Sequence, residues 1–154
     1  MDVMALPTPI ELDWKAQYRI IPSTFPPINF FEDLVQPEDM DAAFYIESLT
    51  NDRLRQEVGD IALINAKDRI AGAGSSVIMA AFTHVGKPSR FTNGSYGVYY
   101  AAQHLETAIR ETVYHRERFM QATQEAPMEL AMRVYKGRVL KPMHDIRQEK
   151  YAGL

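Results

Sequence analysis

Residues 90–102 read RFTNGSYGVYYAA and residues 106–115 read ETAIRETVYH, and these two stretches decide the fold. The residues of interest are Arg90 and the tyrosines at 96, 99 and 100 in the first stretch, and Glu111 and His115 in the second, which we predict to be a strand and a helix. An arginine holds a phosphate with a planar fork of donors, and a tyrosine stacks on a planar ring. A carboxylate holds a sugar hydroxyl or stabilises a developing positive charge. The set suits a dinucleotide that is cut at a glycosidic bond.

The bulk composition predicts one ordinary globular domain. The chain has 154 residues, of which 46% are hydrophobic and 24% are charged. A net charge of -3 gives no electrostatic reason to bind a nucleic acid backbone. The chain has no cysteine, which excludes disulfides and thiolate zinc sites.

The N-terminus and the hydropathy predict a cytoplasmic protein with no membrane partner. The first seven residues, MDVMALP, lack both the basic region and the long apolar core of a signal peptide. No apolar run approaches the length of a membrane span. We therefore expect a soluble protein.

The chain divides by pattern into three segments of one predicted domain. Residues 1–36 read as an irregular arm and a proline-rich loop, with a β-prone run over 18–21. Residues 37–58 read as a helix, since a proline and two acidic residues open it and Gly59 follows it. Residues 59–154 form the predicted core.

The core segment carries further elements. We predict a strand over 96–101 and a helix over 104–120. Alternation predicts a second strand over 129–134, with 139–143 as its pairing partner. The apolar run 77–82 fits a helix or a strand equally well, because it is too short for periodicity to decide.

The helix over 104–120 yields the sharpest prediction. Its predicted inner face consists of Leu105, Ile109, Val113, Arg116 and Met120, with Thr112 beside them. Glu111 lies about 160° from Ile109 and Val113, and His115 follows four residues later on the same side. A carboxylate and an imidazole are therefore expected to line a crevice beside the preceding strand.

Each of these residues also has an ordinary structural interpretation. A glutamate four residues before a histidine is most often a surface pair, and Arg90 alone is more often a surface cation. Tyr99 and Tyr100 alone are more often half-buried strand residues. Glu111 and His115 make a poor metal site because no third ligand is placed nearby, so no metal is expected.

The combined pattern resembles the RES domain, a family named for its Arg, Glu and Ser. The shared pattern is an arginine, an aromatic residue, an asparagine, a short glycine turn and Val98-Tyr-Tyr-Ala-Ala, then a helical glutamate eleven residues after Tyr100. The resemblance spans residues 18–145 and is strongest over 88–118.

The resemblance implies a fold and a biological setting. The implied fold class is α+β, a small domain similar to the ADP-ribosyltransferase fold, with a split mixed or antiparallel sheet and flanking helices. Members of the family are mostly toxins of bacterial toxin–antitoxin pairs, partnered by an Xre-type antitoxin. They consume NAD by hydrolysis or phosphorolysis, or transfer ADP-ribose to a protein.

The resemblance also implies roles for four binding residues. Arg19 and Arg90 would hold the diphosphate of NAD or the adjacent ribose. Tyr100 would stack near the nicotinamide or its ribose, with Tyr99 beside it. These assignments rest on the match to the family pattern.

The catalytic assignment follows from the same resemblance. Glu111 would be the catalytic carboxylate, and His115 a helper that is not part of the family signature. The family serine belongs to a C-terminal segment that would begin near Leu154, and Ser75 and Ser76 precede the motif. No serine is carried over, which leaves a shortened branch, a fragment or a dispensable serine as explanations.

The expected function is a toxin that cleaves the nicotinamide–ribose bond of NAD by hydrolysis or phosphorolysis. One alternative is a mono-ADP-ribosyltransferase that modifies a housekeeping protein, such as an enzyme of nucleotide synthesis. A second is an inactive relative that binds only nucleotide or antitoxin. The motif does not choose among water, phosphate and a protein as acceptor.

Overall fold

The computed structural model describes residues 6–23, 39–48, 59–86, 88–123 and 126–148, which form helices and two small antiparallel sheets. The coarse prediction of a mixed fold of helices and antiparallel strands is thus confirmed. The chain divides into two compact units. We call Met1–Pro22 with Ala101–Leu154 the terminal unit, and Ser23–Tyr100 the central unit. The single domain over residues 1–154 stays a prediction.

The central unit is helical. Helix α1 spans Met40–Ser48 and helix α2 spans Ser75–Thr83, with 3₁₀ turns at Ile61–Leu63 and Ala66–Asp68 between them. Each turn is capped from its own sequence, because an Asp or Asn side chain just before it accepts a backbone N–H. The helix predicted over 37–58 agrees with α1 where it is described, and residues 37–38 and 49–58 lie outside the described residues.

The run 77–82, which fits a helix or a strand by sequence, is helical and belongs to α2. Gly74, with a positive φ of 81°, precedes it and lets the chain turn into its first residue. Met79, at 2% exposure, is the largest fully buried side chain of the described residues, and Ile61 is buried in the same unit. The core of the central unit therefore lies between α2 and the first 3₁₀ turn, which pack on each other.

The strand predicted over 96–101 is wrong. Residues 97–101 have irregular backbone, and a single antiparallel bridge joins Ala102 to Tyr18. The reason is that Gly97 packs directly on α2: a Cβ there would lie 2.2 Å from the carbonyl oxygen of Ala81. A backbone pressed against a helix has no room for a neighbouring strand. From the sequence, Gly94 and Gly97 allow either a turn or a close backbone approach, and at Gly97 the structure has the close approach.

The terminal unit contains the strands. Strand β1 spans Pro9–Ile10 and pairs antiparallel with β4, Met143–His144. Strand β2 spans Gln17–Pro22 and pairs antiparallel with β3, Met132–Gly137. The β-prone run is confirmed, and the strand predicted over 129–134 begins three residues later. The proposed pairing of 139–143 with that strand is wrong, because residues 143–144 pair with β1 in the segment predicted to be an irregular arm.

Helix α3 spans Leu105–Thr123 and packs against β2. Its least exposed side chains are spaced by four residues: Ala108, Thr112, Arg116 and Met120. The predicted face is therefore confirmed for Arg116 and Met120, with Thr112 beside them. It is wrong for Leu105, Ile109 and Val113, which are 40–48% exposed. Small side chains at Ala108 and Thr112 allow the helix backbone to come close to the sheet, which leaves the larger apolar residues on its flank.

Among the described residues, no helix combines the length and apolar character that a membrane span requires.

Candidate functional site

The residues predicted to form the site divide between the two units. Arg90, Tyr99 and Tyr100 belong to the central unit, and Arg19, Glu111 and His115 belong to the terminal unit. Each group is described within its own unit. The convergence of all six on one pocket stays a prediction.

In the central unit, residues 88–97 form a closed loop, which we call the motif loop. Its base is tied by the hydrogen bond from Ser89 N to Thr92 O, 2.8 Å long. The hydroxyl of Thr92 accepts from Gly94 N at 3.0 Å and donates to Tyr96 O at 2.9 Å. Gly94 is buried with a positive φ of 98°, a conformation that favours glycine. The loop therefore has one defined shape.

The motif loop presents Arg90 on a stack of aromatic rings. The Arg90 guanidinium lies 5.2 Å from the centre of the Phe91 ring, and that ring stacks on Tyr100 at 6.2 Å with 27° between planes. The Tyr100 hydroxyl bonds the Ser89 hydroxyl at 2.7 Å. Arg90 and Tyr100 are exposed, and Tyr99 is half-buried. The structure thus brings Arg90 and Tyr100 together through Phe91.

Arg90 and Tyr100 together can bind a phosphorylated ligand with a planar ring. The guanidinium offers paired donors to phosphate oxygens, and the aromatic face offers a stacking surface. Ser89 and Phe91 were not assigned a role from the sequence. The signal that could have found Phe91 is its place between Arg90 and the turn asparagine, where an aromatic ring supports its neighbour.

An apolar cleft of about 540 Å³ lies beside the motif loop within the central unit. Ile78, Phe82 and Tyr96 contribute apolar walls, while Asn65 and Asp68 contribute polar groups. This volume is in the range of sites that hold small molecules. The cleft was not predicted from the sequence, because it forms between segments that are distant along the chain.

Arg69 fixes one side of this cleft from within. Its side chain is 5% exposed and forms a 2.9 Å ion pair with Asp41. It also donates to the carbonyl oxygens of Ile64 at 3.0 Å and of Ile61 at 3.4 Å. Because Ile64 lines the cleft, Arg69 holds the wall in place rather than facing a ligand. The sequence carries no signal for this role, since the burial of a charge depends on the tertiary contacts.

In the terminal unit, Arg19 is half-buried on β2, directly opposite Tyr135 of β3. Glu111 and His115 are both exposed on α3 and are four residues apart, as predicted. The ring of His115 meets the ring of Tyr114 edge-on at 5.4 Å. An exposed ion pair on this helix joins Arg110 to Glu106 at 2.7 Å.

Glu111 is therefore a solvent-facing carboxylate, accessible to a ligand. Neighbouring side chains on α3 contact one another: the Arg118 guanidinium, for example, lies 5.7 Å from the centre of the Tyr114 ring. In the parts of the chain described by the structure, no three His, Cys, Asp or Glu side chains cluster as metal ligands would.

Comparison with known proteins identifies relatives of the chain. The model of the RES domain family matches residues 68–153, which is more than half of the chain. An uncharacterized protein, y4oC, of Sinorhizobium fredii (strain NBRC 101917 / NGR234) is 34% identical over 132 residues. That alignment covers 85% of this chain and 56% of y4oC, so the chain spans little more than half of that relative. No solved structure matches the chain.

Proposed function

Because the chain belongs to the RES domain family, we propose that it is an NAD-consuming enzyme that cleaves the nicotinamide–ribose bond. The products of hydrolysis would be nicotinamide and ADP-ribose, and phosphate as acceptor would give the phosphorolysis product. The observation that supports this most directly is the arrangement in which Phe91 joins Arg90 to Tyr100. It offers a phosphate-binding fork and a ring-stacking surface on one loop.

The binding roles follow from the side-chain chemistry. Arg90 would hold a phosphoryl group of NAD with paired N–H donors, and Arg19 would contribute the same chemistry from β2. The Tyr100 ring would stack on the nicotinamide or its ribose, with the half-buried Tyr99 supporting it. Fixing the diphosphate presents the glycosidic bond in a reactive geometry.

Cleavage of the nicotinamide–ribose bond requires a carboxylate. When the C–N bond breaks, its electron pair leaves with the nicotinamide nitrogen, and the ribose develops oxocarbenium character. Glu111 would stabilise that cation and hold the ribose hydroxyls. Water would then add to the ribose carbon and lose a proton, which His115 would accept.

The biological role that we propose is that of a toxin held inactive by an Xre-like antitoxin. An exposed arginine such as Arg90 would attract an acidic side chain or a C-terminal carboxylate of that partner. We further propose that the domain has the arrangement of an ADP-ribosyltransferase, the fold that the family pattern implies.

The direct test is release of nicotinamide. The purified chain is incubated with NAD, and free nicotinamide is measured by chromatography for wild type, Glu111→Gln and Glu117→Gln. Glu117 is the matched control because it is an exposed glutamate on the same helix. We expect Glu111→Gln to lower the rate about a hundredfold or more, and Glu117→Gln to leave it near wild type.

The same reaction separates the alternatives. ADP-ribose free in solution supports hydrolysis, whereas label from NAD retained on a protein band supports transfer to a protein. If folded wild type releases no nicotinamide but NAD raises its Tm, the chain is an inactive relative that binds the nucleotide. An equal loss of rate in Glu111→Gln and Glu117→Gln would contradict a catalytic role for Glu111.

The toxin role is tested by expression. Production of the wild-type chain without its partner should arrest growth, and Arg90→Ala should relieve the arrest. Arg138→Ala, at an exposed arginine after β3, is the matched control and should still arrest growth. Normal growth on wild-type production would contradict the toxin role while leaving the NAD reaction to its own assay.

A further inference from the structure

Large apolar side chains that the central unit leaves exposed converge on the cleft beside the motif loop. Six of the exposed large hydrophobic residues line it: Leu63, Ile70, Ile78, Phe82, Val85 and Tyr96. Apolar residues that are exposed singly need no explanation, whereas a contiguous apolar surface marks a site of interaction. Because this surface encloses a cleft of about 540 Å³, it fits a small molecule better than the face of a protein partner.

The walls of the cleft are held in place before any ligand arrives. The Tyr96 hydroxyl donates to the carbonyl oxygen of Phe91 at 2.5 Å, and the carbonyl oxygen of Tyr96 accepts from the Thr92 hydroxyl at 2.9 Å. Ile78 and Phe82 lie one turn apart on α2 and therefore share a side of that helix. A ligand thus meets ordered aromatic and aliphatic surfaces, which lowers the entropic cost of binding.

The polar groups of the cleft differ in how far they are already used. The side-chain oxygen of Asn65 accepts the backbone N–H of Lys67 at 3.2 Å, and the Ser95 hydroxyl donates to the side-chain oxygen of Asn93 at 2.6 Å. Among the described residues, the Asp68 carboxylate accepts no hydrogen bond and forms no ion pair. A hydrogen-bond donor on a ligand therefore finds its acceptor at Asp68.

The charge of the cleft favours a cation. Asp68 carries the one charge among the described residues that line the cleft. The adjacent Arg69 has its charge compensated within the protein, since its guanidinium forms a 2.9 Å ion pair with Asp41, and Lys67 does not line the cleft. A carboxylate on an apolar wall attracts organic cations and repels organic anions. Aromatic faces such as that of Phe82 attract a cation as well.

We propose that this cleft binds a small organic ammonium ion with an aromatic or aliphatic body. The ammonium donates to the Asp68 carboxylate, and the body packs against Ile78, Phe82 and Tyr96. Neither Arg90 nor Tyr100 is among the described residues that line the cleft, so the site is distinct from these two. It therefore goes beyond the proposed function and does not depend on it.

The proposal is tested with three ligands that share one body. Phenethylammonium carries a positive charge, 2-phenylethanol is neutral, and 3-phenylpropanoate carries a negative charge. Titration of backbone amide NMR signals of the full chain measures each Kd, and the signals of residues 78, 82 and 96 report on the cleft. We expect phenethylammonium to bind about three- to tenfold more tightly than 2-phenylethanol, because its hydrogen bond to the carboxylate is charge-assisted. We expect 3-phenylpropanoate to bind most weakly.

Three variants assign this selectivity to its residues. Asp68→Asn should abolish the preference for phenethylammonium and leave the Kd for 2-phenylethanol within about twofold. Asp39→Asn is the matched control, because Asp39 is an exposed aspartate of the same unit that does not line the cleft, and it should keep the preference. Phe82→Leu, which keeps an apolar wall but loses the ring, should weaken both ligands by a few-fold.

Four results would overturn the proposal. They are the absence of saturable shifts at residues 78, 82 and 96, binding of 3-phenylpropanoate as tight as that of phenethylammonium, loss of the preference in Asp39→Asn as well as in Asp68→Asn, and displacement of phenethylammonium by NAD. Displacement by NAD would make the cleft part of the dinucleotide site. Because none of the three ligands has a glycosidic bond, their binding is measured independently of nicotinamide release.

Discussion

The central and terminal units hold their candidate residues in opposite ways. The central unit buries large apolar side chains such as Met79 and Ile61. Among the described residues of the terminal unit, the buried side chains are three alanines, Ala16, Ala102 and Ala108. The described part of the central unit thus buries two large apolar side chains, whereas that of the terminal unit buries only small ones.

The same contrast extends to the candidate site. In the central unit, Tyr100 is fixed by a hydrogen bond to Ser89 and by stacking on Phe91. In the terminal unit, Glu111 and His115 face solvent from α3. The recognition groups are thus preorganised by their neighbours, whereas the carboxylate is an accessible group on a regular helix. We therefore expect substitutions in the central unit to lower the free energy of unfolding, and substitutions in the terminal unit to lower mainly the rate of the proposed reaction.

The largest expected effect on stability compares two methionines, each on a helix. Met79→Ala on α2 should lower the free energy of unfolding by about 2–5 kcal/mol, because it removes a fully buried side chain and leaves a cavity. Met120→Ala on α3 removes a half-buried side chain and should cost about 1 kcal/mol. Urea unfolding followed by circular dichroism measures both, and equal losses would contradict the contrast between the units.

A second comparison uses two glycines. Gly97→Ala should destabilise the protein by about 1–3 kcal/mol, because the added Cβ would meet the backbone of α2 at 2.2–2.5 Å. Gly137→Ala on β3 should change stability by less than about 1 kcal/mol, since its nearest neighbour would be 3.4 Å from the Cβ. Thermal melts compare the two, and a Gly97→Ala variant as stable as wild type would show that the motif loop is free to move off α2.

The parts of the fold that were predicted correctly depend on local signals. The β-prone run of β2 and the long helix α3 follow from composition and length within a few residues. A glycine inside an apolar and aromatic run indicates a turn or a close approach at Gly97, and the structure has the close approach. The family pattern itself is local, since its arginine, tyrosine and glutamate lie within 22 residues of one another.

The parts that were predicted wrongly depend on contacts between distant segments. The pairing of β4 with β1 joins residues at opposite ends of the chain, and no short pattern encodes that choice. Three apolar residues expected on the inner face of α3 lie on its flank instead, because the small residues Ala108 and Thr112 pack against the sheet. The strand expected over 96–101 does not form, because Gly97 packs on α2. The cleft beside the motif loop was unpredicted for the same reason.

A smaller effect is expected where the structure fixes Tyr100. Ser89→Ala removes the hydroxyl that bonds Tyr100 at 2.7 Å, and should lower kcat/KM for NAD about three- to tenfold. Ser95→Ala is the matched control, because the Ser95 hydroxyl of the same loop bonds Asn93 instead. A positioning role predicts that Ser89→Thr restores most of the rate. Equal rates for Ser89→Ala and wild type would leave Tyr100 oriented by Phe91 alone.

The smallest effect concerns an ion pair of the terminal unit. The Arg147 guanidinium bonds both carboxylate oxygens of Asp145, at 2.8 and 2.6 Å, and lowers the pKa of that carboxyl to about 2. A lowered pKa means that the pair stabilises the folded state above the ordinary pKa of aspartate, about 3.9. That stabilisation is lost as the pH falls toward 2.

Because Arg147 is exposed to solvent, the pair should contribute little to stability, and the pKa itself is the sensitive measurement. NMR titration of the Asp145 carboxyl should show its pKa rising toward the ordinary value in Arg147→Gln and unchanged in Arg118→Gln, which alters a cation on α3. A low pKa that persists in Arg147→Gln would mean that the backbone N–H of residue 147, which donates to Asp145 at 3.1 Å and is retained in the variant, is enough to stabilise the carboxylate. Asp145 in the terminal unit would then be fixed by its own contacts, as Tyr100 is in the central unit. The difference in how the two units position their polar side chains would be smaller.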